Sequence, residues 1–576
     1  MSNEPVSAYN SSRLRMLIFC LTFGFTVVVG RLIYYQVLEY KELHAAALTQ
    51  RTWDKTIEPT RGYITDIHGQ ILALNSIEWD ISVSPSLVVG KATVADRLSE
   101  LLEVPTSEIS ATLVSKAPWA QLATGVDYET GEAIAGLKNP GITCTPRPRR
   151  FYPEGDLFSH VLGFVNDIGD GYYGVEGYYD QTLRGKRGLR TVEQDPVGEE
   201  LPFEPLDEEP ALNGVSLVLT LDRNVQYIAA EELERALEEY GAQSGTVLIM
   251  NPKTGAILAT VSVPSYEPND FLSQDDSLLP DPAVSGVWEP GSIFKIVTWG
   301  AGLDSGTISP GTTFYDEGAL EVGGRVIRNW DRQGNGLVTM SDGLIKSLNT
   351  VAAFISTSMG KDRFYTYLRR FGFGSLSGVD LASEVPGMMK LPGDSNWYPS
   401  DLGTNAFGQG IAVTPVQMLA AASAVANQGT LMKPYIVQQI ISQDPASGDD
   451  RVTPVEPMVV RRTISRETAE TLTQMLVRVV EEGATQAEVP GYRVAGKTGT
   501  AQVPTPYGYH PTYTIGSFIG FAPADDPQFI VLVKLDRPSA SPWGSQTAAP
   551  TFRAIAARLF SYLQIPPDDV RQAQGP

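Results

Sequence analysis

Cysteine is almost absent: the 576 residues contain two. Cys20 falls inside an apolar run and Cys144 stands alone, so no disulfide framework can hold an exported domain together, and stability must come from burial. Histidine is nearly as scarce. His44, His68, His160 and His510 have no helical or short-loop spacing between them, which argues against a His-based metal site, so neither a metal nor any other cofactor is expected. There is no Lys/Arg run, and a formal net charge of −22 offers no footprint for phosphate, which excludes nucleic acid as a partner. No polar low-complexity tract points to extensive disorder. What is present is a globular composition, 42% hydrophobic and 19% charged, in a chain too long for one domain, so two or more cores are expected.

Charge is also missing locally. Residues 16–30, MLIFCLTFGFTVVVG, carry none, and the run resumes after Arg31 as LIYYQVL, giving the ~20 residues that a bilayer-spanning helix needs. Arg31, near one end, can snorkel. Arg13 and Arg15 precede the run while Glu39, Lys41 and Glu42 follow it, so the positive-inside bias puts the N-terminus in the cytoplasm and everything after residue 40 outside. A cleaved signal peptide is the rival, because HAAALTQ (44–50) contains an A-x-A pattern. That site lies too far beyond Gly30, and an uncleaved anchor is expected. A buried core helix would not need flanking arginines.

Two regions follow the anchor. Residues 41–215 mix short β-like runs, YITDIHGQILAL and WDISVSPSLVV, with Pro- and Gly-rich turns and a charged helical stretch, and end in an acidic connector, EELPFEPLDEEPALNG (199–214). Then the pattern changes. Asp222 can cap a helix whose apolar positions Val225, Ile228, Ala229, Leu233, Ala236 and Leu237 keep helical rhythm to Tyr240. Two strands, GTVLIM and AILATVSV, come next, joined by NPKTG.

That joint contains Lys-Thr-Gly, and the triplet recurs in RVAGKTGTAQV (493–503). The first copy reads as a hairpin turn, with Asn-Pro opening it and Gly255 closing it. The second lies in an extended run of small residues, where a ligand's backbone can approach closely and where Lys497, Thr498 and Thr500 can bind a carboxylate. A matching nucleophile would be Ser-x-x-Lys, because residues i and i+3 of a helix face the same way and bring an amine to a hydroxyl. Two such tetrads exist. Ser292-Ile293-Phe294-Lys295 opens an apolar helical pattern after Pro290 and Gly291, whereas Ser358-Met359-Gly360-Lys361 ends one and carries a glycine inside it. About one or two matches arise by chance in a chain this long, so order and company decide. One Ser-x-Asn occurs, Ser347-Leu348-Asn349, and only Ser292–Lys295, Ser347–Asn349 and Lys497-Thr498-Gly499 give the three elements in the order of penicillin-recognising serine acyltransferases.

With these motifs the chain resembles the class B penicillin-binding proteins, membrane-anchored D,D-transpeptidases that crosslink peptidoglycan. PTRGYITDIHGQILALN (59–75) is similar to the family's first N-terminal motif, with Ile67 and His68 departing from its usual Asp-Arg-Asn-Gly. FSHVLGFVNDIGDGYYGVEGYYDQTLRGKRG (158–188) resembles later pedestal motifs, and SLVLTLDRNVQ, VWEPGSIFK, FGQGIAVTPVQM and GFAPADDPQFIVLV resemble transpeptidase segments. The implied fold is α+β and multidomain. It comprises a cytoplasmic tail (1–15), a transmembrane anchor (16–38), an elongated, mostly-β pedestal of the dimerisation type (41–215), a transpeptidase domain with an antiparallel sheet flanked by helices (216–566) and a C-terminal tail (567–576). Arg61, Asp66 and Glu176 are implied to be structural residues of the pedestal, and the GQG segment (408–410) a turn near the site.

The resemblance also implies a mechanism on a D-Ala-D-Ala stem peptide, carried by a lipid-linked precursor or nascent glycan. Ser292 attacks the penultimate carbonyl, Lys295 takes the hydroxyl proton as a neutral amine, Ser347 relays it to the leaving amine, and Asn349 orients Lys295 and the peptide amide. Lys497, Thr498, Gly499 and Thr500 form the wall that binds the terminal carboxylate, and the backbone N–H groups of Ser292 and Thr500 form the oxyanion hole. An amine from a neighbouring stem resolves the acyl-enzyme, and β-lactams acylate Ser292 and stay. The implied setting is the bacterial cell membrane, single-pass, with the catalytic domain outside. The implied partners are a membrane-embedded glycan polymerase of the shape, elongation, division and sporulation family and other divisome proteins.

Three rivals fit less well. A β-lactamase should be shorter and soluble and needs a base for a deacylating water, a class A enzyme would place a glycosyltransferase before the transpeptidase, and an inactive β-lactam sensor has no need of all three motifs. Within class B, HVLGFV (160–165) and TAAPTFRAIAARLFSYLQIPPDD (547–569) favour the division type over the elongation type.

Overall fold

The computed structural model describes residues 9–193, 207–444, 447–505 and 508–574. The chain groups into two compact units, Met1–Thr60 with Gly185–Asn213, and Arg61–Arg184 with Gly214–Pro576. Residues 61–184 of the expected pedestal therefore share the second unit with the expected transpeptidase domain.

In the first unit the apolar run forms the helix Tyr9–Ile33, continued by the π-helical turn Tyr34–Leu38. Ser11–Leu38 is long and apolar enough to cross a membrane, and its most apolar window is wholly unburied. An apolar surface of that kind is stable against hydrocarbon rather than water, which fits a membrane anchor. Arg31 Nη2 donates to Tyr35 Oη at 2.8 Å and the guanidinium sits 5.4 Å from the Tyr35 ring centre, so the one charge within 16–38 has a partner near the helix end. A second helix, Tyr40–Arg51, leads into strand Thr52–Ile57, which pairs antiparallel with Gly188–Glu193. That strand pairs in turn with Asp207–Glu209, from the acidic connector; residues 199–206 of the connector lie outside the described residues.

The second unit holds two larger sheets. In the first, strands run in the order Asp450–Pro454, Val437–Gln443, Ser216–Leu219, Ile64–Thr65, Ile71–Val83 and Ala120–Val126, with Ile142–Phe151 also paired to Ile71–Val83. The turn between Ile64–Thr65 and Ile71–Val83 is made by Asp66, whose Oδ1 accepts the N–H groups of His68 and Gln70 at 2.8 Å each, and by Gly69 at φ +83°. Three helices, Lys91–Leu102, Thr106–Val114 and Tyr128–Ala135, close a separate small core around Ile81, Val83, Leu98, Leu113 and Ile134.

The second sheet is antiparallel, in the order Ile257–Val263, Ser244–Met250, Phe529–Asp536, Gly508–Ala522, Ala495–Thr505. Helices Arg223–Tyr240 and Ala548–Tyr562 cover one face through Val225, Leu233, Phe552 and Leu559. Asp222 caps the first of these, its Oδ1 accepting the N–H groups of Asn224 at 2.8 Å and Val225 at 3.3 Å. On the other side lies the main core, including helix Pro415–Ala426, every residue of which is buried. That explains its unbroken apolar composition. Ala495–Thr505 is one of the two edge strands of this sheet, and an edge leaves alternate backbone groups free to pair with another extended chain.

Candidate active site

The nucleophile candidate sits in a 3₁₀ turn, Gly291–Phe294, that runs straight into helix Lys295–Asp304. Gly291 takes φ +57°, and a Cβ on Gly408 would lie 2.3 Å from the Gly291 carbonyl oxygen, so the GQG segment packs backbone to backbone under this turn. Helical spacing then brings Lys295 Nζ to 3.0 Å from Ser292 Oγ.

Ser347 and Asn349 reach the same amine from another element. Ser347 takes φ +56°, a left-handed conformation that is strained for a serine, and it presents both its carbonyl oxygen and its Oγ to Lys295 Nζ, at 2.6 and 3.1 Å. Asn349 opens helix Asn349–Met359, and its Oδ1 lies 2.9 Å from Nζ. Two of the four oxygens around Nζ, the Ser347 carbonyl and the Asn349 amide, can only accept. A neutral amine has two hydrogens, which satisfy those two acceptors, and its lone pair is left for a hydroxyl proton from Ser292 or Ser347.

Electrostatics favour that neutral form. Lys295 is fully buried, and burial pushes its pKa well below the ordinary lysine range, with the charge of nearby Lys497 pushing the same way. Lys497 is itself buried and lowered to about 7 by desolvation. On the edge strand, Lys497 Nζ lies 3.2 Å from the Thr498 carbonyl oxygen and 3.4 Å from Thr498 Oγ1. Gly499 is needed because a Cβ there would lie 2.3 Å from Ser517 Oγ, and Gly544, whose Cβ would lie 2.1 Å from the Gly499 carbonyl oxygen, donates its N–H to Thr500 Oγ1 at 3.0 Å.

These groups surround a cleft of about 470 Å³ lined by Ser292, Ser347, Asn349, Thr498 and Thr500. Motif reading missed several other lining residues, among them Trp330, Phe407, Glu482, Trp543 and Gln546. Trp330 and Trp543 meet edge to face with centres 5.1 Å apart. No spacing rule links positions so far apart in the chain; two tryptophans in polar surroundings were the only signal.

The competing motifs lie elsewhere. Lys253 is in the turn between Ser244–Met250 and Ile257–Val263, with Nζ 2.6 Å from Asp526 Oδ1. Ser358 and Lys361 are exposed, and Lys361 lies over the Trp397 ring, 6.0 Å from its centre. In the pedestal segment, Glu176 is fully buried between two guanidiniums, Arg61 Nη2 at 2.6 Å and Arg150 Nε at 2.7 Å, and Arg61 Nη1 also reaches Asp180 Oδ1 at 2.9 Å. Arg150 was not singled out in the sequence. Asp66 Oδ2 accepts the N–H of Arg223 at 3.3 Å, tying its turn to the start of helix Arg223–Tyr240.

Comparison with known proteins identifies the family. Residues 245–557 match the family model described as penicillin binding protein transpeptidase domain, and residues 56–219 match the penicillin-binding protein dimerisation domain. The chain is 36% identical to stage V sporulation protein D of Bacillus subtilis, over 96% of this chain and 86% of that one. It is 28% identical to the peptidoglycan D,D-transpeptidase FtsI homolog of Chlorokybus atmophyticus, over 94% and 95% respectively. Among solved structures it resembles penicillin binding protein 3 of Mycobacterium tuberculosis in complex with aztreonam, with a TM-score of 0.68 and 26% identity, covering 89% of this chain and 98% of that one.

Proposed function

Because this chain belongs to the class B penicillin-binding proteins and is a peptidoglycan D,D-transpeptidase, we propose that Ser292 is its nucleophile and that the stem peptide passes through an acyl-enzyme on that serine. The observation that carries this reading is the buried Lys295 amine, 3.0 Å from Ser292 Oγ, with two pure acceptors for its hydrogens. Ser292 Oγ attacks the carbonyl of the penultimate D-Ala as its proton passes to Lys295 Nζ. The tetrahedral oxyanion is held by the N–H groups of Ser292, in the first turn before a helix where N–H groups are free, and of Thr500 on the edge strand. Collapse breaks the peptide bond, and Ser347 Oγ, 3.1 Å from Nζ, passes the proton to the departing terminal D-Ala amine. Lys497, Thr498 and Thr500 receive that residue's carboxylate, while Asn349 keeps Lys295 aimed. An acceptor amine from a second stem then reverses these steps, displacing Ser292 and forming the crosslink. A β-lactam presents a carboxylate and a strained amide in the same arrangement and leaves no departing group to make way for the acceptor.

The test is labelling of the full-length protein in detergent with a fluorescent penicillin, followed by peptide mapping. A single adduct on Ser292, absent from Ser292→Ala, is expected. Labelling that persists in that variant, or that maps to Ser358, would overturn the assignment.

Septal synthesis is the cellular role we favour, supported by HVLGFV (160–165), by the C-terminal segment 547–569 and by the FtsI homolog among the relatives. A fluorescent fusion should collect at midcell in every dividing cell. A signal spread along the side wall, or one confined to sporulating cells as the name of the Bacillus subtilis relative would suggest, would reject that role. The proposed partner is a membrane-embedded glycan polymerase of the shape, elongation, division and sporulation family, met in part through the anchor.

A further inference from the structure

Helix Asn349–Met359 begins at a catalytic residue, yet the residue before it, Leu348, has no side chain that can cap it. The cap comes from twenty residues earlier in the chain. Asn329 Oδ1 accepts the N–H groups of Asn349 at 3.0 Å and Thr350 at 3.3 Å and lies 3.1 Å from Thr350 Oγ1. Asn329 is held from behind by a buried carboxylate: its Nδ2 donates to Asp316 Oδ2 at 2.8 Å and to the Gln333 carbonyl oxygen at 3.2 Å. Asp316 Oδ1 takes Thr350 Oγ1 at 2.8 Å and the Gly318 N–H at 2.9 Å, and its Oδ2 takes Asn335 through Nδ2 at 2.9 Å and N–H at 3.1 Å. The Asn349 side chain is tied to the same loop, its Nδ2 donating to the Arg328 carbonyl oxygen at 3.1 Å, which fixes which end of the amide faces Lys295.

Asp316, Asn329 and Thr350 are 1%, 2% and 0% exposed, so these bonds form in a dry environment where an unmade one is costly. Asn349 Oδ1 then has one orientation, toward Lys295 Nζ. Ser347, two residues before Asn349, sits in a left-handed conformation that only surrounding structure can impose.

We propose that Asn329, backed by Asp316, is a positioning residue of the transpeptidase: it caps helix Asn349–Met359 from outside and so aims Asn349, and through it the general base Lys295. The inference rests on the reading of Ser292 and Lys295 as the acylating pair. Asn329 is not among the residues that line the cleft and has no charge, so its effect reaches the reaction through the helix start it holds, at Asn349. When Asn349 drifts, the Lys295 ammonium loses an acceptor, which disfavours the charged form and moves its titration to lower pH, while the amine itself is held less well. Lys497 is the charged group acting on Lys295, and it stays in place.

The experiment measures benzylpenicillin acylation of full-length protein in detergent against pH, for wild type, Asn329→Ala, Asn349→Ala, the double variant and Asn335→Ala. Asn329→Ala should slow acylation by ~10- to 100-fold, the scale of a small misplacement of a catalytic group, and shift the acid limb of the profile to lower pH. The double variant should be no slower than Asn349→Ala, because the two act in series. Asn335→Ala removes partners of Asp316 and of the exposed Lys346, whose Nζ lies 3.3 Å from Asn335 Oδ1, but none of Asn349, so it can lower the melting temperature but should leave the limb where it is. If Asn329→Ala does not fold, Thr350→Val, which exchanges the hydroxyl for a methyl and takes one donor from Asp316 behind Asn329, should shift the limb in the same direction with a smaller loss of rate. An unmoved limb with wild-type rate, or losses that multiply in the double variant, overturns the proposal. A wild-type protein that is not acylated at Ser292 instead overturns the reading on which it rests.

Discussion

At the scale of single residues, two lysines of opposite surroundings share one tripeptide. Lys253 is exposed and its ion pair with Asp526 contributes about 0–1 kcal/mol, so Lys253→Ala should acylate like the wild type. Lys497 is buried, and its charge helps lower the pKa of Lys295. Removing it raises that pKa, so less neutral amine is present at a given pH and the acid limb of acylation should move to higher pH in Lys497→Ala. This direction is opposite to that expected for Asn329→Ala. With its pKa lowered to about 7, Lys497 should itself lose its proton just above neutrality and with it the carboxylate contact. The acylation profile of benzylpenicillin should therefore fall on the alkaline side, and that fall should vanish with the methyl ester of the same drug. Stopped-flow acylation of both compounds checks this, and an identical alkaline limb for the ester would separate Lys497 from carboxylate binding.

At the scale of elements, the site depends on backbones that touch. Gly408 has φ +77°, and a Cβ would meet the Gly291 carbonyl oxygen at 2.3 Å. Gly408→Ala must shift the turn that carries Ser292, in addition to a left-handed penalty of about 1 to 2 kcal/mol. Gly410 is a matched control: its φ is +73°, but the nearest atom to a Cβ is Thr404 Oγ1 at 3.6 Å. Both alanines should lower the melting temperature by a few degrees, while only Gly408→Ala should slow acylation by ten-fold or more. Equal rates in the two folded variants would mean that the turn tolerates the displacement.

For the whole molecule, the buried cluster of Arg61, Arg150 and Glu176 is expected to serve stability and not chemistry. Removing Arg150 leaves Glu176 with Arg61 alone and strips the Gly62 carbonyl oxygen and Asn75 Oδ1 of the donor that Arg150 Nη1 supplies at 2.7 and 3.2 Å, at a cost of about 1–3 kcal/mol for each buried group left unsatisfied. Arg150→Met should thus unfold at markedly lower temperature, yet acylate at the wild-type rate per folded molecule when assayed well below its transition. The anchor should be separable in another way. Gly24 and Gly30 permit close helix approach, so replacing residues 16–40 with an unrelated apolar helix should keep membrane attachment and penicillin labelling but weaken co-purification of the proposed glycan polymerase partner. Unchanged co-purification would assign that contact to the rest of the chain.

Much of this was legible in the one-dimensional pattern, because it depends on local periodicity and composition. The apolar run, the cap at Asp222, the hairpin turn at Lys253 and the i, i+3 pairing of Ser292 with Lys295 all involve residues within a few turns of one another. Motif order selected one Lys-Thr-Gly of two and one Ser-x-x-Lys of two. What only the tertiary structure decided involves residues joined across the chain. Sequence cannot show that Lys295 is dry, that Arg150 shares Glu176 with Arg61, that Trp330 meets Trp543, or that Asn329 caps a helix starting twenty residues later. Burial and long-range hydrogen bonds are properties of packing, and a buried amine, a shared carboxylate and a borrowed cap leave no periodic trace in the residues that make them.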